Sequence, residues 1–196
     1  MKNPRRKAGS FFSDKEKLFL LEIAKKAIGK ELSGERFEIG ENALPSKRLK
    51  EERGTFVTLT LGGNLRGCIG HILPVQGLYQ DVIENARAAA FSDPRFPPLS
   101  EDEFKKIKIE ISILSRPEKF DYATPIELTD YLEKERPGVI IKKGLNAATF
   151  LPQVWEELPK PEDFLAHLCL KAGLASDAWR DEIKIETYKV EIIRER

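Results

Sequence analysis

One stretch constrains this chain more than any other: Phe56-Val57-Thr58-Leu59-Thr60-Leu61, Gly62-Gly63-Asn64, then Leu65-Arg66-Gly67-Cys68-Ile69-Gly70. The first six residues are β-branched, aromatic or leucine, which suits a pleated strand. Glycine and asparagine tolerate positive φ, so residues 62–64 predict a tight hairpin turn. The third segment is then the return strand. It carries one of two cysteines, and His71 directly after it is one of two histidines. Leu78 to Phe91 reads as a helix, with Ala86, Ala88, Ala89 and Ala90 permitting close packing. Pro94, Pro97 and Pro98 cannot continue that helix and stiffen the loop after it.

Around this hairpin the other elements fall into place. Ser13-Asp14-Lys15-Glu16 has the capping-box pattern and predicts a helix to about Leu32, ended by Ser33-Gly34. Its apolar face reads Leu18, Leu21, Ala24, Lys25, Ile28 and Leu32, broadened by Phe19, Ile23 and Ala27. Ile107, Ile109, Ile111 and Ile113 alternate with Lys108, Glu110 and Ser112, which predicts a half-buried strand. Thr124-Pro125 supplies N-cap and first position of a helix to about Glu135. Gly144-Leu145-Asn146 predicts a second hairpin, and residues 153–158 and 164–172 two further helices. Ile183 to Ile193 reads as one final strand, with a bulge near Thr187-Tyr188 where the alternation shifts phase.

Hairpins interleaved with helices, without regular βαβ units, give an α+β class: a mixed or antiparallel sheet with flanking helices. The prolines at 94–98 and 116–125 mark candidate subdomain seams, and residues 1–12, with Lys2, Arg5, Arg6 and Lys7, read as a flexible basic arm before a single domain over 13–196. Charged residues are 33% of the chain yet sum to +1, so no global field draws it to nucleic acid or membrane. Nucleic-acid binding would have to run through residues 1–10 and the Lys47–Arg53 region, and the near-neutral charge argues against it. High balanced charge with one Met and two Cys matches thermophile composition. No apolar run approaches 18 residues and no signal peptide is legible, so a cytoplasmic protein is expected. Two cysteines make no disulfide framework, which fits a reducing compartment.

Chemistry concentrates in the return strand. Residues two apart on a strand share a face, so Arg66 and Cys68 are expected side by side. A guanidinium beside a thiol favours the thiolate and makes Cys68 a candidate nucleophile. Gly67 and Gly70 admit either a substrate close to the backbone or a bend. His71 serves Cys68 as a base only if the chain turns after Gly70. Equally, Cys68 is a small buried hydrophobe and Arg66 a structural ion-pair partner. Cys68 and His71 with His167 and Cys169 comprise four zinc-type ligands, but 167 and 169 lie about 200° apart around a helix. Cys169 reads as core. Asp93-Pro94-Arg95-Phe96 is either a self-paired loop, with Asp93 capping local amides, or presents Arg95 toward an anionic ligand. No phosphate-binding loop, G-x-S-x-G or H-E-x-x-H motif occurs, and Trp155 and Trp179 read as core or groove residues.

Leu65-Arg66-Gly67-Cys68-Ile69-Gly70 resembles the signature of the AMMECR domain family. Phe56–Leu59 before it, Ala89–Leu99 and Ile109–Leu114 after it, and Gly144–Val154 and Phe164–Leu174 match further blocks in order, with Trp179 beyond them. The resemblance spans roughly residues 13–193. It implies an α+β fold with a larger and a smaller subdomain and a cleft between them. It also implies association with a Memo-type protein and a radical S-adenosylmethionine enzyme; it settles no reaction and leaves the cofactor unknown. His71 lies outside the six-residue signature.

Two classes of function follow. In the first, an enzyme or substrate-handling protein uses Cys68 as nucleophile, with Arg66, Gly67, Gly70 and Arg95 binding an anionic substrate. In the second, a non-catalytic module binds partner proteins through a groove shaped by the signature.

Overall fold

The structure, a computed structural model, describes residues 10–181 and 183–195. Along the chain run α1 (Asp14–Leu32), β1 (Thr55–Leu61), β2 (Asn64–His71), α2 (Leu78–Phe91), α3 (Glu101–Phe104), β3 (Lys108–Leu114), β4 (Glu118–Phe120), α4 (Pro125–Glu135), β5 (Gly138–Lys143), β6 (Asn146–Phe150), α5 (Pro161–Lys171), β7 (Lys184–Tyr188) and β8 (Val190–Arg194). The α+β expectation holds, with one four-stranded sheet in each of two compact units. Among the described residues, the first unit comprises those up to Leu114 together with those from Glu191 onward, and the second Ser115–Val190.

In the first unit the strand order is β2-β1-β3-β8, with β1 antiparallel to both neighbours. Gly62 and Gly63 take φ of 58° and 85°, the conformation the hairpin turn requires. The core joins Val57, Leu59, Ile109, Ile111 and Ile113 of the sheet to Leu20, Ile23, Ala24 and Ile28 of α1 and to Val82, Ala86, Ala89 and Ala90 of α2. The capping box at Ser13 and Glu16 is present. The buried stripe of α1, however, runs through Leu20, Ile23, Ala24, Ala27 and Ile28, while Leu18 is exposed. The face lies one step around from the expected one, because 20, 23, 24, 27 and 28 form the tighter helical repeat.

Residues 1–9 of the expected arm lie outside the described residues. Its last residues are held: Phe12 is buried in this core, and the backbone N–H of Phe11 donates to Glu191 at 2.5 Å. The proline-rich stretch at 94–98 belongs inside the first unit rather than at a seam, whereas the 116–125 stretch begins just past the division at Leu114.

In the second unit the strand order is β4-β7-β5-β6, with β4–β7, β7–β5 and β5–β6 all antiparallel. Thr124 caps α4 and Pro125 occupies its first turn. Leu128, Leu132, Val139, Ile141, Phe164, Leu165, Leu168 and Cys169 pack together with both tryptophans. Trp155 stacks on Phe164 with ring centroids 3.7 Å apart and donates from Nε1 to the Pro137 carbonyl at 2.8 Å. The buried indole therefore satisfies its one polar group while contributing its apolar area.

One element differs in kind from its expectation. Residues 183–193 are two strands in two sheets, β7 and β8, with Lys189 between them. The phase shift at Thr187-Tyr188 marks the approach to that handover and not a bulge in a single strand. A strand leaving one sheet for another changes which face is buried, and so mimics the pattern of a bulge.

Candidate functional site

The signature strand β2 is an edge strand of the first sheet. Its pairing with β1 slips between Leu59 and Thr60, so Leu59 faces Gly67, Thr60 faces Leu65, and Arg66 is the extra residue of a β-bulge. A bulge re-aims the side chain it carries. Beyond it the strand alternates regularly. A Cβ on Gly67 would lie 2.0 Å from the Ala89 carbonyl oxygen of α2, so that position faces the helix. Cys68 faces the other way and receives a hydrogen bond at Sγ from Thr58 Oγ1, 3.3 Å away on β1. A Cβ on Gly70, on the Cys68 face, would meet the Thr55 carbonyl at 2.2 Å and the Phe56 ring at 2.5 Å. The Cβ positions of both glycines are thus filled by the protein's own atoms.

The loop after α2 wraps the free edge of this strand. The backbone N–H of Cys68 donates to Asp93 Oδ2 at 2.8 Å, so a carboxylate occupies a strand-edge donor that another chain could otherwise claim. Asp93 is only 4% exposed. It is paired bidentately with Arg95, from Nε to Oδ1 at 2.9 Å and from Nη2 to Oδ2 at 2.7 Å. That guanidinium, together with the amides of Cys68 and Arg95, holds the Asp93 carboxyl well below the usual carboxylate range despite its burial. Arg95 also donates from Nη2 to the Cys68 carbonyl at 3.3 Å. Its side chain remains 54% exposed, and among the described residues no acceptor takes Nη1. Of the two sequence readings, the geometry contains the self-paired loop: the Asp93 carboxylate caps the amides of Cys68 and Arg95 and pairs with the Arg95 guanidinium beside Cys68.

Arg66 behaves differently. It is 6% exposed and donates from Nε and Nη2 to Glu103 at 2.8 and 3.0 Å, and from Nη2 to the Pro97 carbonyl at 2.9 Å. Its Nη1 is buried without an acceptor among the described residues. Arg66 lowers the Glu103 carboxyl to about 2, with help from Ser100. The Arg66 and Arg95 guanidiniums lie 5.7 and 5.6 Å from the Phe96 ring centroid, within cation–π range. So Arg66 anchors the 93–103 segment from beneath, and Arg95 presents its charge at the surface.

Glu103 escapes sequence reasoning, although its signal was legible. Ser100-x-x-Glu103 repeats the capping-box pattern read at Ser13-x-x-Glu16, and the box is present at the head of α3. The same carboxylate that caps α3 therefore neutralises Arg66.

His71 does not pair with Cys68. It is on the α2 side of β2, where Nδ1 lies 2.7 Å from Oδ1 of Asp81, a fully buried residue of α2. Thr55 Oγ1 and Asn85 Nδ2 also donate to Asp81. Strand alternation explains the separation: the chain stays extended through His71, so residues 68 and 71 point to opposite faces. In the second unit Cys169 is buried in the core, as its apolar neighbours suggest, while burial raises its thiol pKa. Among the described residues, His167 bonds only the Asp163 carbonyl of its own helix. Among the described residues no group of three or more His, Cys, Asp and Glu side chains is placed to hold a metal ion, and no helix is long and apolar enough to cross a membrane.

An edge hairpin with a bulged arginine, an acid-capped cysteine and a clamped surface arginine defines an α+β protein built around its signature strand. The AMMECR1 family model matches residues 21–193, and the chain belongs to that family. A protein of Methanosarcina barkeri is 40% identical over 189 residues, covering 94% of this chain and 92% of the relative. A protein of Methanosarcina mazei is 45% identical over 148 residues, covering 75% and 74%. Among solved structures, the crystal structure of an uncharacterized protein from Pyrococcus horikoshii superposes with a TM-score of 0.77 at 36% identity, covering 94% of each chain.

Proposed function

We propose that this AMMECR1-family protein is an enzyme component or substrate-handling protein that takes a small anionic substrate at the outer edge of β2. Arg95 is the group that holds the anion and Cys68 the nucleophile or close contact. Arg66, Gly67 and Gly70 act by positioning the strand and its loop. One observation carries this reading: a half-exposed guanidinium, rigidly clamped to a buried carboxylate, donates to the carbonyl of a partly accessible cysteine. Clamping removes the side-chain entropy that a free arginine would lose on binding, so the site is pre-organised. Two unpaired cysteines suit the cytoplasm proposed for it.

Alkylation tests the reading. Iodoacetamide is expected to modify Cys68 in the folded protein and to leave buried Cys169 untouched, as read by peptide mass spectrometry. Inorganic phosphate is expected to slow that reaction in the wild type and not in Arg95→Ala. A Cys68 that stays unmodified until the protein unfolds would sink the reading.

A second reading, a binding module for partner proteins, draws on Leu73 and Val75, both 60% exposed just beyond β2. The partners proposed from family association are Memo-type and radical S-adenosylmethionine proteins. Immobilised wild type is expected to retain them from an extract of the same organism, and Leu73→Asp with Val75→Asp to release them. Equal retention by wild type and the double variant would remove this surface from consideration.

A further inference from the structure

We propose that the open cavity of the second unit is a separate binding site, for a small anion that carries a flat apolar body. The cavity measures about 760 Å³, within the usual range for small-molecule sites. Its apolar wall includes Phe120, Tyr122, Ile183 and Ile185. Burial raises the phenol of Tyr122, as an apolar wall requires.

The rim is cationic where the rest of the unit is not. Residues 115–190 hold 11 Lys and Arg against 14 Asp and Glu. Yet the described residues around the cavity include Lys119, Lys142, Lys143, Arg180 and Lys184, with only Asp121 and Asp181 as acids. Lys119 pairs with Asp121, Lys143 with Asp181 at 3.4 Å, and Lys142 with Glu186 at 2.6 Å. Arg180 and Lys184 have no carboxylate partner among the described residues; Arg180 lies 4.6 Å over the Trp179 ring. Lys184 also stands directly opposite Lys142 across the β5–β7 pair. Like charges in register destabilise a sheet; Glu186 offsets Lys142, and an anion at Lys184 would offset the other member of the pair. The apolar wall and the two cations without a carboxylate partner among the described residues together call for a ligand with both an aromatic or similarly flat body and an anionic group. This site lies wholly in the second unit and is independent of the reading of Cys68 and Arg95.

Phenyl phosphate is a suitable probe, with inorganic phosphate and phenol as its two halves. In 15N–1H correlation spectra of the full chain, phenyl phosphate is expected to shift the amides of Phe120, Tyr122, Gly144 and Lys184 saturably, with Kd about 1 mM, ordinary for a ligand of this size. Each half alone should bind at least about tenfold more weakly. Arg180→Ala with Lys184→Ala, both surface changes, should weaken phenyl phosphate by about tenfold or more while leaving the other amides in place. No saturable shift at these amides would overturn the proposal. So would unchanged affinity in the double variant, or inorganic phosphate binding as tightly as the whole probe.

Discussion

Gly67→Ala is expected to destabilise the protein by about 3 kcal/mol or more, at the upper end of what overpacking a filled site costs. The new methyl would sit 2.0 Å from the Ala89 carbonyl oxygen and 3.0 Å from its carbon. The obstacle is helix backbone, which no rotamer change can move. To make room, α2 must lift from β2, and with it Val82, Ala86, Ala89 and Ala90, all buried in the first core. Gly63→Ala is the matched control. It lies in open space, so it bears only the strain of its φ of 85°, about 1–2 kcal/mol. Urea unfolding followed by circular dichroism separates the two, and equal midpoints would refute the close approach. This result also sorts the signature. Gly67 and Gly70 are explained by packing, whereas Cys68 is only partly buried and accepts at Sγ from Thr58.

The sequence made the hairpin, α2 and the capped α1 and α4 legible because local chemistry decides them: glycine φ, alternation and caps. The pairing of β7 and β8 with different sheets was not legible, since periodicity reports that a strand changes face without saying which sheet receives it. The site divides the same way. Cys68 and Arg95 stood out by residue type, and the loop brings them together through Asp93. Arg66 was expected beside the thiol from strand parity. The bulge depends on a long-range register and the Glu103 pairing on where the capped α3 meets β2, neither of which strand parity carries. His71 shows the limit of proximity in sequence: three positions along an extended strand put it on the opposite face from Cys68, and its partner Asp81 lies on α2.

Arg66→Ala is expected to cost about 3 kcal/mol, the range for removing one partner of a largely buried ion pair. The loss has three parts. Glu103 keeps Ser100 but no cation, the Pro97 carbonyl loses its donor, and Phe96 loses one of its two guanidinium contacts. Arg66→Lys should recover only part of this, because an ammonium cannot bridge both Glu103 oxygens and the carbonyl in one plane. Acid adds a diagnostic that mere loss of packing would not reproduce. The Glu103 carboxyl is held at about 2 instead of the usual 4.5. A depressed carboxylate stabilises the fold above its unfolded pKa, and that contribution disappears as pH falls through the folded value. The stability gap between wild type and Arg66→Ala should therefore be widest above pH 4.5 and narrow steadily toward pH 2. Asp93, held low by Arg95 in both proteins, loses its contribution equally in each and drops out of the difference. Urea midpoints for the two proteins at several pH values supply the measurement. A gap that stays constant from neutral pH to 2 would mean that Arg66 supports the loop by packing alone and that its charge does nothing for Glu103.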